Sequence, residues 1–232
     1  MLLLVGCASK ATPSCAPDRP TPGAEDVCFL TSDGWSIHGA AWNRNATDAP
    51  LVILAHGLNE DHHSYDVLGA QLAARGWRVL AFDSRGQGAS THAPGGQTRT
   101  LRDFSAADLP GFAADLDAAR RFAGEPRAWI GASIGANLAL RIAAPTNESV
   151  VLLSPGIDYQ GITTTAANAQ HHGAALMLAS RDDATATNSV QQLSRAHQPP
   201  PTVQIWDAKG HGTNMLDDET RALIVSWLDA SR

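Results

Sequence analysis

Leu51-Val52-Ile53-Leu54-Ala55 is apolar at every position, the pattern of a strand covered on both faces. Residues 77–82, 128–130, 149–153, 174–179 and 202–206 carry similar runs and predict further buried strands. Between them lie helical patterns. Residues 65–75 place Val67, Leu68, Leu72 and Ala73 at helical spacing before Gly76 stops the run. Residues 106–123, the stretch that begins Ala136-Asn137-Leu138, and an amphipathic stretch over 216–228 predict the other helices. Near the start, two β-rich runs at 27–31 and 35–42 are separated by Ser32-Asp33-Gly34, the signal of a tight hairpin. Strands that alternate with helices pair in parallel through right-handed crossovers. The expected fold class is therefore α/β: a doubly wound, mostly parallel sheet flanked by helices, with its site at the carboxyl ends of the strands.

Composition narrows this picture without changing it. The chain has 232 residues, 44% hydrophobic and 17% charged, an ordinary globular balance that suits one domain. Its net charge of -6, with no Lys/Arg cluster, argues against nucleic acid as a partner. Residues 8–25 are rich in Pro, Ala, Ser and Thr and cannot build a core, so 1–26 is expected to be a signal-like segment and tether, and 27–232 the folded domain. Sequence says nothing of the oligomeric state.

The candidate chemistry centres on Gly131-Ala132-Ser133-Ile134-Gly135, set between the apolar run 128–130 and a helix-forming run. Gly-x-Ser-x-Gly in a strand-turn-helix context is a nucleophile elbow, in which small residues let the serine occupy a strained turn. A serine hydroxyl needs a base to take its proton and a carboxylate to orient that base. In this arrangement the chain order is serine, acid, histidine, and the amide after the nucleophile, here that of Ile134, is one oxyanion donor. His211, in Lys209-Gly210-His211-Gly212 directly after a strand, is the expected base; His197 lies in a polar segment before three prolines. For the acid, Asp182 and Asp183 both follow the strand 174–179, and Asp158 follows the strand before it.

No metal and no cofactor are expected. His62-His63 and His171-His172 lack the surrounding spacing of a metal motif, and Gly86-Gln87-Gly88 lacks the third glycine of a dinucleotide loop.

From about residue 27 onward the chain resembles the α/β-hydrolase superfamily. The segments His56-Gly57-Leu58, Ala74-Arg75-Gly76-Trp77 and Asp83-Ser84-Arg85-Gly86-Gln87-Gly88-Ala89-Ser90 resemble its monoacylglycerol-lipase and serine-aminopeptidase-like branch. The resemblance implies that Asp183, three places after Ser180, is the acid, with Asp182 and Asp158 as alternatives. It also implies that the Leu58 amide is the second oxyanion donor. His56 then orients the turn, Asp83 and Arg85 form a hydrogen-bonded pair, and His62 and His63 stand at the rim of the site. Only residues 154–173 are available for a lid, and they are mostly polar, so the cap should be minimal or absent. The resulting expectation is a serine hydrolase, a carboxylesterase acting on small-molecule or polymeric esters through a Ser133 acyl-enzyme. A peptidase or amidase of the same fold is the alternative, and a non-catalytic binding lipoprotein is the alternative from another class.

The apolar start is too short to span a bilayer, which takes about 20 residues. Leu4-Val5-Gly6-Cys7 resembles a bacterial lipobox, with Cys7 the lipidated residue. That reading implies a lipid-anchored protein of the cell envelope; the alternative is a frayed apolar terminus on a cytoplasmic protein. With three cysteines, lipidation of Cys7 would leave Cys15 and Cys28 to pair, or to stand as two free thiols.

Overall fold

The structure is a computed structural model that describes residues 13, 15 and 19–231; Cys7 lies outside the described residues. The chain opens with an antiparallel hairpin, β1 (Glu25–Leu30) and β2 (Ser36–Trp42), in register from Glu25 opposite Ala41 to Leu30 opposite Ser36. Gly34, at φ +91°, closes its turn, a backbone region that only glycine adopts at little cost. Cys15 is joined to Cys28 on β1 by a disulfide, with 6.0 Å between their Cα atoms.

Strands and helices then alternate: β3 (Leu51–Ala55), α1 (Asp66–Ala74), β4 (Arg78–Phe82), α2 (Phe112–Ala123), β5 (Ala128–Ala132), α3 (Ile134–Ala143) and β6 (Ser149–Leu153). After these come α4 (Thr165–Gln170), β7 (Ala175–Ser180), α5 (Ala184–Ala196), β8 (Thr202–Trp206) and α6 (Asp218–Ala230). The sheet order is β1-β2-β4-β3-β5-β6-β7-β8, with every pair from β4 to β8 parallel and β2 antiparallel to both neighbours. Two-residue strands at His92–Ala93 and Gln97–Thr98 extend the sheet beside β2.

The central strands alternate their side chains between two apolar layers. Ile53, Trp129, Val150 and Met177 face α2, α3 and α5 through Phe112, Leu116, Leu138, Val190 and Leu193. Val52, Leu54, Ile130, Leu153 and Leu178 face α1 and α6 through Leu68, Leu72, Ile224 and Leu228. Burial of each such side chain stabilises the fold by about 1.5–3 kcal/mol before entropy is counted, so the strands form a stiff base for the loops at their carboxyl ends.

Three differences from the expected elements have physical causes. Pro110 lacks an N–H, and α2 accordingly starts at Phe112 after a 3-10 turn. Asp217 accepts from the Thr220 amide and so sets the start of α6 two residues later than the apolar pattern suggested. Helix α5 was not expected, because its buried stripe of Ala186, Val190 and Leu193 sits in an otherwise polar run. Residues 154–173 form a small hairpin, Asp158–Tyr159 against Ile162–Thr163, and then α4; there is no lid domain among the described residues.

Candidate active site

Ser133 follows β5 directly and adopts φ 54°, ψ -122° before α3 begins. A non-glycine residue in this region is strained, and the surroundings must hold it there. They do so by close packing. A Cβ on Gly131 would fall 2.3 Å from the Gly135 carbonyl oxygen, and one on Gly135 would fall 2.3 Å from the Ala55 carbonyl oxygen. Both glycines are therefore required by the approach of α3 to β5 and β3. The Ser133 amide donates to the Leu153 carbonyl at 2.9 Å, which ties the elbow to β6.

The loop after β8, which carries His211, passes beside this elbow at the next residue. A Cβ on Gly212 would lie 3.8 Å from Ser133 Cβ. His211 Nδ1 lies 2.5 Å from Asp183 Oδ2; a carboxylate only accepts, so Nδ1 carries the proton and Nε2 is left as an acceptor. The other oxygen of Asp183 accepts the Ala186 amide at 3.1 Å, so this one side chain caps α5 and orients the imidazole.

Asp182 has a different partner. Its carboxylate accepts the Gly210 amide at 3.2 Å, and hydrogen bonds from Ser180 and from the Gly210 and Lys209 amides hold it below its ordinary pKa. Asp158 is exposed and accepts the Gly161 amide at 2.6 Å within the small hairpin, so it is not brought to His211. His197 lies at the other end of the sheet, paired with His171 at 2.9 Å and bonded to the Pro199 carbonyl ahead of β8.

At the end of β3, the Gly57 amide donates to Glu60 Oε2 at 2.8 Å and the Asn59 amide to Gln87 Oε1 at 2.6 Å. The Leu58 and Ile134 amides have no protein acceptor among the described residues. These are the two expected oxyanion donors. His56 supports the turn: its Nε2 accepts the Ser84 amide at 2.9 Å, and its Nδ1 lies 2.6 Å from the Gly57 carbonyl.

Sequence reasoning missed three neighbours of the site. Glu60 also accepts from the Thr213 hydroxyl at 2.6 Å. Ser154, buried at φ 50°, accepts the Gly212 amide at 3.0 Å. Tyr159 stands edge-on to His211 with ring centroids 6.1 Å apart, and burial, with the nearby Asp183 charge, pushes its hydroxyl up to about 12. The only hint in the sequence was an acid two places after Leu58 and a serine at the end of a strand.

Two expectations are corrected. Asp83 and Arg85 do not pair with each other: Arg85 bridges Asp115 and Asp33, while Asp83 meets His62 Nδ1 at 2.7 Å. His62 and His63 are not at the rim but buried, because Thr21 of the N-terminal segment covers them and lies 3.1 Å from His62 Nε2 and 3.3 Å from His63 Nδ1.

Burial alone would raise the Asp83 carboxyl, but the His38 ring 3.5 Å away, the bonds from His62 and the His62 charge outweigh it and hold the group far below the usual carboxylate range. Burial alone would lower His62, and the Asp83 contact outweighs that and raises it. Ligand atoms of His38, His62 and Asp83 lie within 4.8 Å of one another, the one grouping of metal-ligand type among the described residues. Asp83 already accepts from the His62 amide, His62 Nδ1 and the Ala89 amide, whereas neither buried ring nitrogen of His38 has a hydrogen-bond partner among the described residues.

A doubly wound sheet with a strained serine after β5, and a carboxylate and histidine supplied by the loops after β7 and β8, defines an α/β-hydrolase. The family described as serine aminopeptidase, S33, matches residues 47–199, more than half of the chain, and the protein belongs to that family. Epoxide hydrolase B of Mycobacterium tuberculosis is 38% identical over 63 residues, which is 27% of this chain and only 18% of that protein. Among solved structures, an esterase from Pyrococcus furiosus aligns with a TM-score of 0.72 at 18% identity, over 94% of this chain and 99% of that one. An esterase from Exiguobacterium antarcticum aligns with a TM-score of 0.68 at 10% identity, over 89% and 99% of the two chains. These likenesses concern the fold.

Proposed function

We propose that the protein is a carboxylesterase that works through an acyl-enzyme on Ser133. His211 Nε2 takes the serine proton as the hydroxyl attacks the ester carbonyl, and Asp183 holds the imidazole in the tautomer that allows it and stabilises the imidazolium. The tetrahedral oxyanion is met by the Leu58 and Ile134 amides, which are fixed before the reaction; loss of one such donor typically costs about 3 kcal/mol of barrier. His211 then returns the proton to the leaving alcohol. In the second half it deprotonates a water that attacks the acyl carbonyl, and Ser133 is released with a carboxylic acid.

The observation that carries this reading is the Asp183–His211 contact on a loop whose next residue, Gly212, lies beside a strained serine, together with two amides without protein acceptors. Ester specificity is supported by the small polar cap over 154–173, which leaves the serine accessible to varied esters, and by the esterases with which the chain shares its fold over nearly its whole length. The family description favours amide cleavage as the second reading. Assay of p-nitrophenyl esters beside aminoacyl anilides, with Ser133→Ala as the control, separates the two. The expected result is turnover of short-chain esters that Ser133→Ala abolishes, with anilides cleaved far more slowly. Faster cleavage of anilides would replace the esterase reading with the peptidase one.

A further inference from the structure

We propose that Glu60 is a positioning residue that locks the oxyanion turn to the base loop, so that Leu58 and His211 act in register. The inference rests on the reading of Ser133 as nucleophile and His211 as base. Glu60 Oε2 accepts the Gly57 amide at 2.8 Å, immediately before the Leu58 donor. Its Oε1 accepts the Thr213 hydroxyl at 2.6 Å, two places after His211 and 153 residues away in the chain. Both are bonds to an ionised acceptor, which are shorter and stronger than neutral ones.

The location is central. The position a Cβ would take on Gly57 lies 3.2 Å from Glu60 Oε2 and also 3.2 Å from Ser133 Cβ. The base loop is held on the β6 and β7 side by several bonds: Lys209 to Ser180, Gly210 to Asp182, His211 to Asp183 and Gly212 to Ser154. On the β3 side, where the oxyanion turn lies, the Glu60–Thr213 bond is its one hydrogen bond among the described residues. Without Glu60, the Gly57 amide loses its acceptor, and the next peptide, which carries the Leu58 N–H, is held only through its Gly57 carbonyl by His56 Nδ1. The loop that carries the base also loses its tie to that turn. Oxyanion donors act only if they are aimed before charge develops, so the loss falls on the transition state and not on substrate binding.

Steady-state kinetics of the full chain on p-nitrophenyl acetate tests this with Glu60→Ala, Glu60→Gln, Thr213→Val and the double variant Glu60→Ala/Thr213→Val, each checked for an unchanged thermal midpoint. Glu60→Ala should lower kcat about 10- to 100-fold, with KM within about threefold of wild type. Thr213→Val should lower kcat about 5- to 10-fold, and the double variant should be no worse than Glu60→Ala, since both break the same bond. Glu60→Gln should recover to within about threefold, because its amide can accept from Gly57 and donate to the Thr213 oxygen.

Wild-type kcat in Glu60→Ala, multiplication of the two single effects in the double variant, or a Glu60→Gln as poor as Glu60→Ala would each overturn the inference. If Glu60→Ala does not fold, a wild-type kcat in Thr213→Val overturns it alone. A wild-type enzyme whose turnover does not depend on Ser133 would remove the catalytic reading itself, which the variants at 60 and 213 cannot do.

Discussion

Asp182 and Asp183 are adjacent, and the two carboxylates part company because one faces the His211 ring and the other faces the Gly210 amide. Replacing them with asparagine should therefore have unequal effects. On the proposed mechanism, Asp183→Asn lets the imidazole settle in the wrong tautomer, and kcat on p-nitrophenyl acetate should fall on the order of 10⁴-fold, the scale seen when a triad aspartate is amidated in serine hydrolases. Asp182→Asn weakens only exposed bonds, those from Ser180 and from the Gly210 and Lys209 amides, a loss of about 2- to 5-fold. Equal losses, or a larger one at 182, would reverse the assignment. Ser133 and His211 were singled out in the sequence because flanking glycines and strand ends mark them locally. Glu60 was not, since its meaning depends on Thr213, far away in the chain. His62 and His63 were misplaced for the same reason: the Thr21 contact that buries them spans about forty residues of sequence separation.

The elbow turns on the packing of α3. Both of its glycines face backbone atoms, which cannot move aside as a flexible side chain could, and at Gly135 these include two carbonyl oxygens at 2.3 and 2.5 Å from a notional Cβ. Gly135→Ala should force α3 away from β3 at a cost of about 2–3 kcal/mol, a fall in Tm of about 5–10 °C for a domain of this size. A wild-type Tm in that variant would mean that the helix sits elsewhere. Most elements were legible because strands buried on both faces read as continuous apolar runs. Helix α5 escaped because its polar face of Thr, Asn, Ser and Gln dominates the run, and its start is set by Asp183, a cap that also serves the site.

Across the molecule, the candidate site is assembled from the carboxyl ends of neighbouring strands: the Leu58 turn from β3, Ser133 from β5, Ser154 from β6, Asp183 from β7 and His211 from β8. Strand-helix alternation made that end of the sheet predictable, since parallel strands share a direction. It could not say that β4 and β2 lie on the far side of β3, because strand order is set by which apolar faces meet in three dimensions. It could not give the cover over 154–173 either, where Asn137 on α3 holds the Gly156 amide at 2.9 Å and donates to the Ile162 carbonyl at 2.6 Å. This small cover leaves the elbow open to reagents. Treatment of the folded protein with a fluorophosphonate, followed by peptide mass analysis, therefore tests the nucleophile directly. One adduct on Ser133, absent from a Ser133→Ala protein of unchanged Tm, is the expected result; no adduct, or an adduct at another residue that persists in Ser133→Ala, would contradict it.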